Sequence, residues 1–190
     1  MAEQGKSSAR NVTTISISKI DAAKSQLETA IQLFFQNGDA VSVHTLVRAA
    51  HEILEVLCAG KDKKSMMKEI MENVKEDKVD ELTAIINEPK NFFKHASRDP
   101  AQEIEFNPES SDLFLWDGCK LYQALTGEMP KMLYLFNLWF NLSHPNLFAN
   151  QDFKEILKWI AKSFNPGNKP LFYAEASSAY DTMQSRRKSK

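Results

Sequence analysis

Apolar residues recur at three- and four-residue spacing along most of the chain, and this pattern predicts helices. The clearest case is a first helix whose apolar face is formed by Ile20, Ala23, Leu27, Ala30, Ile31 and Phe34. Asn37-Gly38 then supplies a left-handed stop, and Asp39 can cap a second helix that runs to Leu57 and ends at Gly60. So short a turn predicts that the two helices pack antiparallel.

The same spacing predicts six further helical segments, at about 66–74, 79–87, 111–125, 130–143, 151–164 and 172–183. Pro89 is expected to close the second of these, because proline disrupts a helix interior. Only residues 12–17 alternate as a strand would, and they have no evident partner. We therefore predict an all-α fold.

Three parts of the chain differ in composition. Residues 1–17 are polar and are expected to form a disordered or irregular tail, residues 18–184 a single helical domain, and residues 185–190 a basic, disordered tail. With 190 residues and 43% apolar content, the chain is long enough to bury one core.

Charge and cysteine usage narrow the class of protein. The formal net charge is −1, from 24 basic and 25 acidic residues, so no global field attracts nucleic acid or anionic membrane. Cys58 and Cys119 lie inside predicted helices, where buried free thiols of a reducing cytosol are expected rather than a disulfide. The apolar run Met132–Leu142 is too short to span a bilayer, and the N-terminus lacks a signal peptide. A cytoplasmic protein without membrane contact is predicted.

A polar stripe on the second helix is the first candidate site. His44, Arg48, His51 and Glu55 fall within a sector of roughly sixty degrees on a helical wheel. The stripe is either a solvated or hydrogen-bonded helix face, or a site in which Arg48 holds a phosphate or carboxylate. Two imidazoles and a carboxylate also suit a divalent metal, although the fixed charge of Arg48 would repel the ion.

The segment from Lys90 to His95 is the second candidate. In a helix, Asn91 lies one turn before His95 on the same face. A histidine moves protons near neutral pH, a neighbouring lysine stabilises a phosphorane-like transition state, and an amide holds the scissile phosphate. Such a set can cleave RNA through the ribose 2′-hydroxyl without a metal. The alternative is a partly exposed helix end that Phe92 and Phe93 anchor to the core.

This segment resembles the signature of the HEPN (higher eukaryotes and prokaryotes nucleotide-binding) superfamily, an arginine followed by a polar residue, three variable residues and a histidine. Lys90 stands at the arginine position, Asn91 at the polar position and His95 at the histidine position. The start of the chain is similar as well, where Asn37-Gly38-Asp39 precedes a helix containing Ala49-Ala50-His51-Glu52. The resemblance covers about residues 19 to 125.

The resemblance implies an up-and-down bundle of four or five core helices, to which this chain would add C-terminal helices. It also implies a homodimer in which two copies of the motif face one another in a basic cleft. Many members are metal-independent endoribonucleases of toxin-antitoxin, CRISPR or other defence systems, and others only bind nucleotides or partners. Lys90 departs from the pattern, since lysine lacks the planar fork that grips a phosphate twice.

Three functions follow as hypotheses. The favoured one is a dimeric binding module without a cofactor, in which both candidate segments line one polar cleft for an anionic or nucleotide ligand. The first alternative is a metal-independent ribonuclease that uses Lys90, Asn91 and His95. The second is a metal-binding protein that uses His44, His51 and Glu55. No glycine-rich phosphate loop, nucleophile elbow or zinc-ligand spacing is present in the sequence.

Overall fold

Eight α-helices and one short 3₁₀ helix form the secondary structure of residues 13–95 and 100–188, the part of the chain that the computed structural model describes. The α-helices are α1 Lys19–Phe35, α2 Ala40–Ala59, α3 Met66–Glu72, α4 Glu76–Lys94, α5 Ser110–Thr126, α6 Lys131–Ser143, α7 Gln151–Ile160 and α8 Lys169–Lys188. No strand is found in this part, and residues 13–17 have no regular structure. The predicted all-α class is confirmed. Residues 1–12 of the predicted N-terminal tail lie outside the described residues.

The turn between α1 and α2 forms where the sequence predicted it. Asn37 adopts a left-handed φ of 51°, and the Gly38 N–H donates to the Leu33 carbonyl at 2.8 Å. A Cβ on Gly38 would lie 3.1 Å from that carbonyl oxygen, so a larger residue would be crowded there. The Asp39 side chain caps α2 by accepting the Ser42 N–H at 2.7 Å.

Six of the described helices contribute to the apolar core, α7 through Leu157 alone. Helices α1, α2, α5 and α6 contribute most of the buried apolar side chains, and α8 adds Phe172 and Ala176. Gly118 of α5 permits a close approach to α1, since a Cβ there would lie 3.0 Å from a methyl group of Leu27. Cys58 and Cys119 are buried free thiols, as predicted. No helix among the described residues is long and apolar enough to cross a membrane.

Helices α3 and α4, residues 66–94, are called the α3–α4 arm. Neither helix has a fully buried residue, so the arm lies on the bundle without contributing to the centre of its core. It packs beside α2, where Asn87 of α4 reaches Arg48 and Phe93 contacts the ring of His44. The arm therefore covers the face of α2 that carries the predicted polar stripe.

The predicted end of α4 was wrong. The helix continues through Pro89 to Lys94, so Lys90 to Lys94 is its last turn and His95 is its C-cap. Half-buried Phe92 and Phe93 pack with each other, and Phe93 also packs against Phe106. These contacts hold the final turn although proline removes one backbone hydrogen bond.

Two C-terminal boundaries also differ from the prediction. Helix α7 ends at Ile160, before the predicted 164. Helix α8 continues to Lys188, so Arg186, Arg187 and Lys188 form a helical turn rather than the expected irregular tail. Basic residues in the last turn suit the negative end of the helix dipole.

Replacing Pro89 with alanine should stabilise the protein. Alanine restores the missing N–H and removes the clash of the ring with the preceding turn, a gain of about 1–3 kcal/mol in the free energy of unfolding. Urea titration followed by circular dichroism measures the change. Glu88→Ala, at the exposed neighbouring position, is the matched control and should change stability by less than about 0.5 kcal/mol. A lower urea midpoint for Pro89→Ala than for wild type would contradict this prediction.

Candidate functional site

The polar stripe of α2 is buried. His44, Arg48 and His51 are only 1%, 7% and 2% exposed, and Glu55 is half-buried. The interpretation of the stripe as a solvated helix face is therefore wrong. The stripe is instead a buried, hydrogen-bonded helix face. Buried polar side chains need partners, and the partners of these residues come from α5, from α4 and from the start of α3.

His51 is held from two sides. Its Nε2 N–H donates to Asp117 Oδ2 of α5 at 2.8 Å, and its Nδ1 lies 3.8 Å from Glu55 Oε2. The second oxygen of Asp117 accepts the backbone N–H of Met66 at 3.0 Å. The buried Ser65 hydroxyl donates to Glu55. This network fastens the first turn of α3 to α2 and α5.

His44 lies in an aromatic environment. Its Nδ1 hydrogen-bonds with Ser111 Oγ at 3.0 Å, and its ring meets Phe93, Phe106 and Phe114 edge to face. Its Nε2 is buried and has no hydrogen-bond partner among the described residues. Burial and the nearby Arg48 charge both disfavour the imidazolium, which lowers the pKa of His44 to about 4. His44 is therefore neutral at neutral pH.

Arg48 is a buried cation without a close counter-ion. Its guanidinium lies over the ring of Phe114, 3.9 Å from the centroid, and donates to Asn87 Oδ1 at 2.6 Å. No carboxylate of the described residues lies within 4.0 Å of it, and its buried Nε has no hydrogen-bond partner. Burial lowers the pKa of Arg48, while Glu55 and Glu52 raise it from longer range.

The Arg48 pocket is a cavity of about 190 Å³ between α2, α5 and the α3–α4 arm. Its polar lining consists of Arg48, His51, Glu55, Lys68, Thr83 and Asn87. Met67, Met71, Ile86 and Phe114 form the apolar part of its wall. Of the predicted ligand-binding residues, Arg48, His51 and Glu55 meet here, whereas His44 lies deeper against Ser111.

The predicted catalytic residues lie beside α2 but do not line this pocket. The Lys90 Nζ is 3.6 Å from Glu52 Oε2 of α2. Asn91 is half-buried, and the exposed His95 has no side-chain hydrogen bond or ion pair with any described residue. The structure therefore brings the end of α4 next to α2, as expected, without placing Lys90, Asn91 and His95 in the Arg48 pocket.

Metal binding has no support in the geometry. In residues 13–95 and 100–188, no group of three His, Cys, Asp or Glu side chains could hold an ion. His44 is bonded to Ser111, whereas His51 uses its nitrogens toward Asp117 and Glu55. The described geometry therefore does not support a metal site formed by His44, His51 and Glu55.

Sequence reasoning missed the partners of the stripe. These partners are Ser65, Asn87, Ser111 and Asp117, and no sequence spacing relates them to the stripe. One signal was available, because a carboxylate between apolar positions of a helix requires a donor elsewhere in the fold. The sequence could not identify His51 as that donor, since 66 positions separate the two residues.

Scans of protein-family models, curated proteins and solved structures found no match. The HEPN resemblance thus rests on the motif residues and on the all-helical class.

The stability of the protein should depend on pH through His44. Its pKa is about 4 in the folded chain and about 6.5 in the unfolded chain, so the unfolded state takes up the proton first as the pH falls. This stabilising contribution is complete above about pH 6.5 and is lost as the pH approaches 4. His44→Gln removes it, so the stability gap between wild type and variant should narrow by on the order of 1–2 kcal/mol from pH 7.5 to 4.5.

Urea titrations of both proteins at pH 7.5, 5.5 and 4.5 measure that gap. The comparison is needed because the pKa of Asp112 is raised to about 7 by burial, which gives an opposite pH dependence in both proteins. The contribution of Asp112 is common to both proteins and cancels in the difference between their free energies of unfolding, which leaves the contribution of His44. A gap that stays constant over this range would show that His44 does not titrate differently in the folded and unfolded states.

Proposed function

We propose that the chain is a helical binding module whose Arg48 pocket holds the anionic group, phosphate or carboxylate, of a small ligand. The observation that carries the proposal is a buried guanidinium without a carboxylate within salt-bridge distance among the described residues. An unpaired buried charge costs several kcal/mol, and a bound anion would offset that cost.

The guanidinium of Arg48 has N–H donors that no described residue accepts. It carries five N–H groups in a planar fork, of which the described residues engage one terminal nitrogen through Asn87. The Nε N–H is buried and has no partner among the described residues, and a forked pair of hydrogen bonds to an anion would use two of the four remaining donors. Stacking on Phe114 fixes the plane of the fork and reduces the entropy lost when a ligand binds.

Other pocket residues support an anion as well. Lys68 adds a second cation, and Thr83 adds a hydroxyl donor. Glu55 opposes an anion, but its carboxylate is already engaged by Ser65 and lies near His51. At about 190 Å³ the pocket is smaller than the roughly 300–1,000 Å³ typical of drug-sized ligands. It therefore fits a phosphate or carboxylate with a few attached atoms, and the nucleoside of a nucleotide would extend outside.

Replacing Arg48 with glutamine should weaken the binding of such a ligand at least tenfold, the effect of losing about 1.5–3 kcal/mol of charged hydrogen bonds. The probes are inorganic phosphate, ribose 5-phosphate, AMP and succinate, which separate phosphate from carboxylate and small ligands from nucleotides. Chemical-shift titration of the backbone amides of Thr83 and Asn87 reports binding at the pocket.

Arg187→Gln is the matched control, because Arg187 is exposed in the last turn of α8. It should leave binding unchanged. The proposal fails if none of the four probes shifts the pocket amides, or if Arg48→Gln binds a probe as tightly as wild type does. Circular dichroism of each variant confirms that the helices are retained.

We propose metal-independent RNA cleavage at His95 as a second function. It is supported by the exposure of His95, which a polymer can reach, in contrast to the buried His44 and His51. Asn91 lies one turn earlier, and its carbonyl accepts the His95 N–H at 3.1 Å. The contact of Lys90 with Glu52 opposes the proposal, because it neutralises part of the charge a phosphate would need.

RNA incubated with the protein in a chelator should yield fragments that end in cyclic phosphate. His95→Ala should slow cleavage at least 100-fold, the usual contribution of a general acid or base. Lys158→Ala, at an exposed residue of α7, is the control and should retain full activity. Light scattering tests the homodimer that the resemblance implies. Intact RNA after prolonged incubation with wild-type protein would exclude this function.

A further inference from the structure

A second pocket lies where the turn between α1 and α2 meets the first turns of α5 and α8. Its volume is about 240 Å³, and it shares no lining residue with the Arg48 pocket. Phe34, Ala40, Val43 and Pro108 give it an apolar wall. Two oppositely charged side chains, Asp112 and Lys169, also line it, and we call it the Asp112–Lys169 pocket.

Asp112 is a buried carboxylate that does not cap its helix. It is only 7% exposed and lies in the first turn of α5. The amides of that turn are already used, since Ser110, Ser111 and Asp112 donate their N–H groups to backbone carbonyls of residues 107–109 at 3.0–3.1 Å. No side chain of the described residues donates a hydrogen bond to the Asp112 carboxylate or lies within salt-bridge distance of it. Burial raises the pKa of Asp112 to about 7, so the side chain is partly protonated at neutral pH, and a nearby ammonium group would favour the carboxylate form.

Lys169 occupies an unfavourable position for a cation. It is the first residue of α8, where the helix dipole favours anions, and the capping role there belongs to Asn168, whose side chain accepts the Leu171 N–H at 3.1 Å. Its Nζ lies 3.7 Å from the centroid of the Phe34 ring and does not come within 4.0 Å of any described carboxylate. Burial lowers the pKa of Lys169, and Asp112 and Glu109 raise it only in part.

The two charges therefore attract each other across the pocket without touching. We propose that the Asp112–Lys169 pocket binds a small zwitterion of the α-amino acid class, with its ammonium group at Asp112 and its carboxylate at Lys169. An apolar side chain of the ligand would pack against Phe34 and Val43. A simple anion would meet the carboxylate of Asp112, and a simple amine would meet the ammonium of Lys169, so neither satisfies both groups.

The size of the pocket agrees with this class. It is below the roughly 300–1,000 Å³ of pockets that hold drug-sized ligands, which limits the occupant to a molecule of about ten heavy atoms. Glu109 also lines the pocket but is exposed, so water screens its charge. The Ser111 hydroxyl is already hydrogen-bonded with His44, so we do not expect it to contact the ligand.

The test uses the full chain and three related probes: L-leucine, 3-methylbutylamine, which lacks the carboxylate, and 4-methylpentanoate, which lacks the ammonium group. Chemical shifts of the Asn37 and Gly38 amides report binding at the pocket. We expect leucine to bind at least tenfold more tightly than either partial analogue. Asp112→Asn and Lys169→Met should each weaken leucine binding at least tenfold.

Two exposed residues provide matched controls. Asp181→Asn and Lys158→Met make the same chemical changes outside the pocket and should leave leucine binding unchanged. Arg48→Gln should also bind leucine normally, which separates this proposal from the anion-binding function. Circular dichroism of each variant verifies folding.

Three results would overturn the proposal. The first is that leucine, methionine and phenylalanine all leave the Asn37 and Gly38 amides unshifted. The second is that the folded Asp112→Asn and Lys169→Met variants bind leucine as wild type does. The third is that the amine or the acid binds as tightly as leucine, which would assign the pocket to a singly charged ligand.

Discussion

The burial of a polar helix face is the constraint on which the rest of the described structure depends. Helix α2 packs its apolar residues against the bundle, yet His44, Arg48 and His51 are buried as well. Imidazole and guanidinium groups lose their water there and need replacement partners. Helices α4 and α5 and the start of α3 supply them, through Ser65, Asn87, Ser111 and Asp117. The position of the α3–α4 arm follows from this requirement.

The first turn of α5 connects the Asp112–Lys169 pocket with the polar stripe of α2. Ser111 faces α2 and holds His44, while Asp112, the next residue, faces the turn between α1 and α2. Each pocket contains a buried ionisable side chain, Arg48 in one and Asp112 in the other, and no oppositely charged group of the described residues lies within 4.0 Å of either.

The sequence predicts those features of the fold that depend on interactions between residues close in the chain. The apolar face of α1 and the turn at Asn37 follow from spacing and backbone preference and are confirmed. The predicted helix end at Pro89 was wrong, because tertiary contacts of the last turn of α4 outweigh the free-energy cost of proline inside a helix. The grouping of Arg48, His51 and Glu55 was readable from the helical wheel. Their burial was not, since it depends on partners distant in sequence.

The absence of fully buried side chains from α3 and α4 also affects the motion of the protein. An element held by hydrogen bonds and half-buried contacts can detach without opening the main core, so the free energy of its opening lies below that of global unfolding. Amide hydrogens of the arm thus exchange with solvent through local opening, whereas those of α1 and α5 exchange only through global unfolding. Each opening admits water to Arg48 and Phe114. Residues of the arm form one wall of the Arg48 pocket, and local opening of the arm removes that wall.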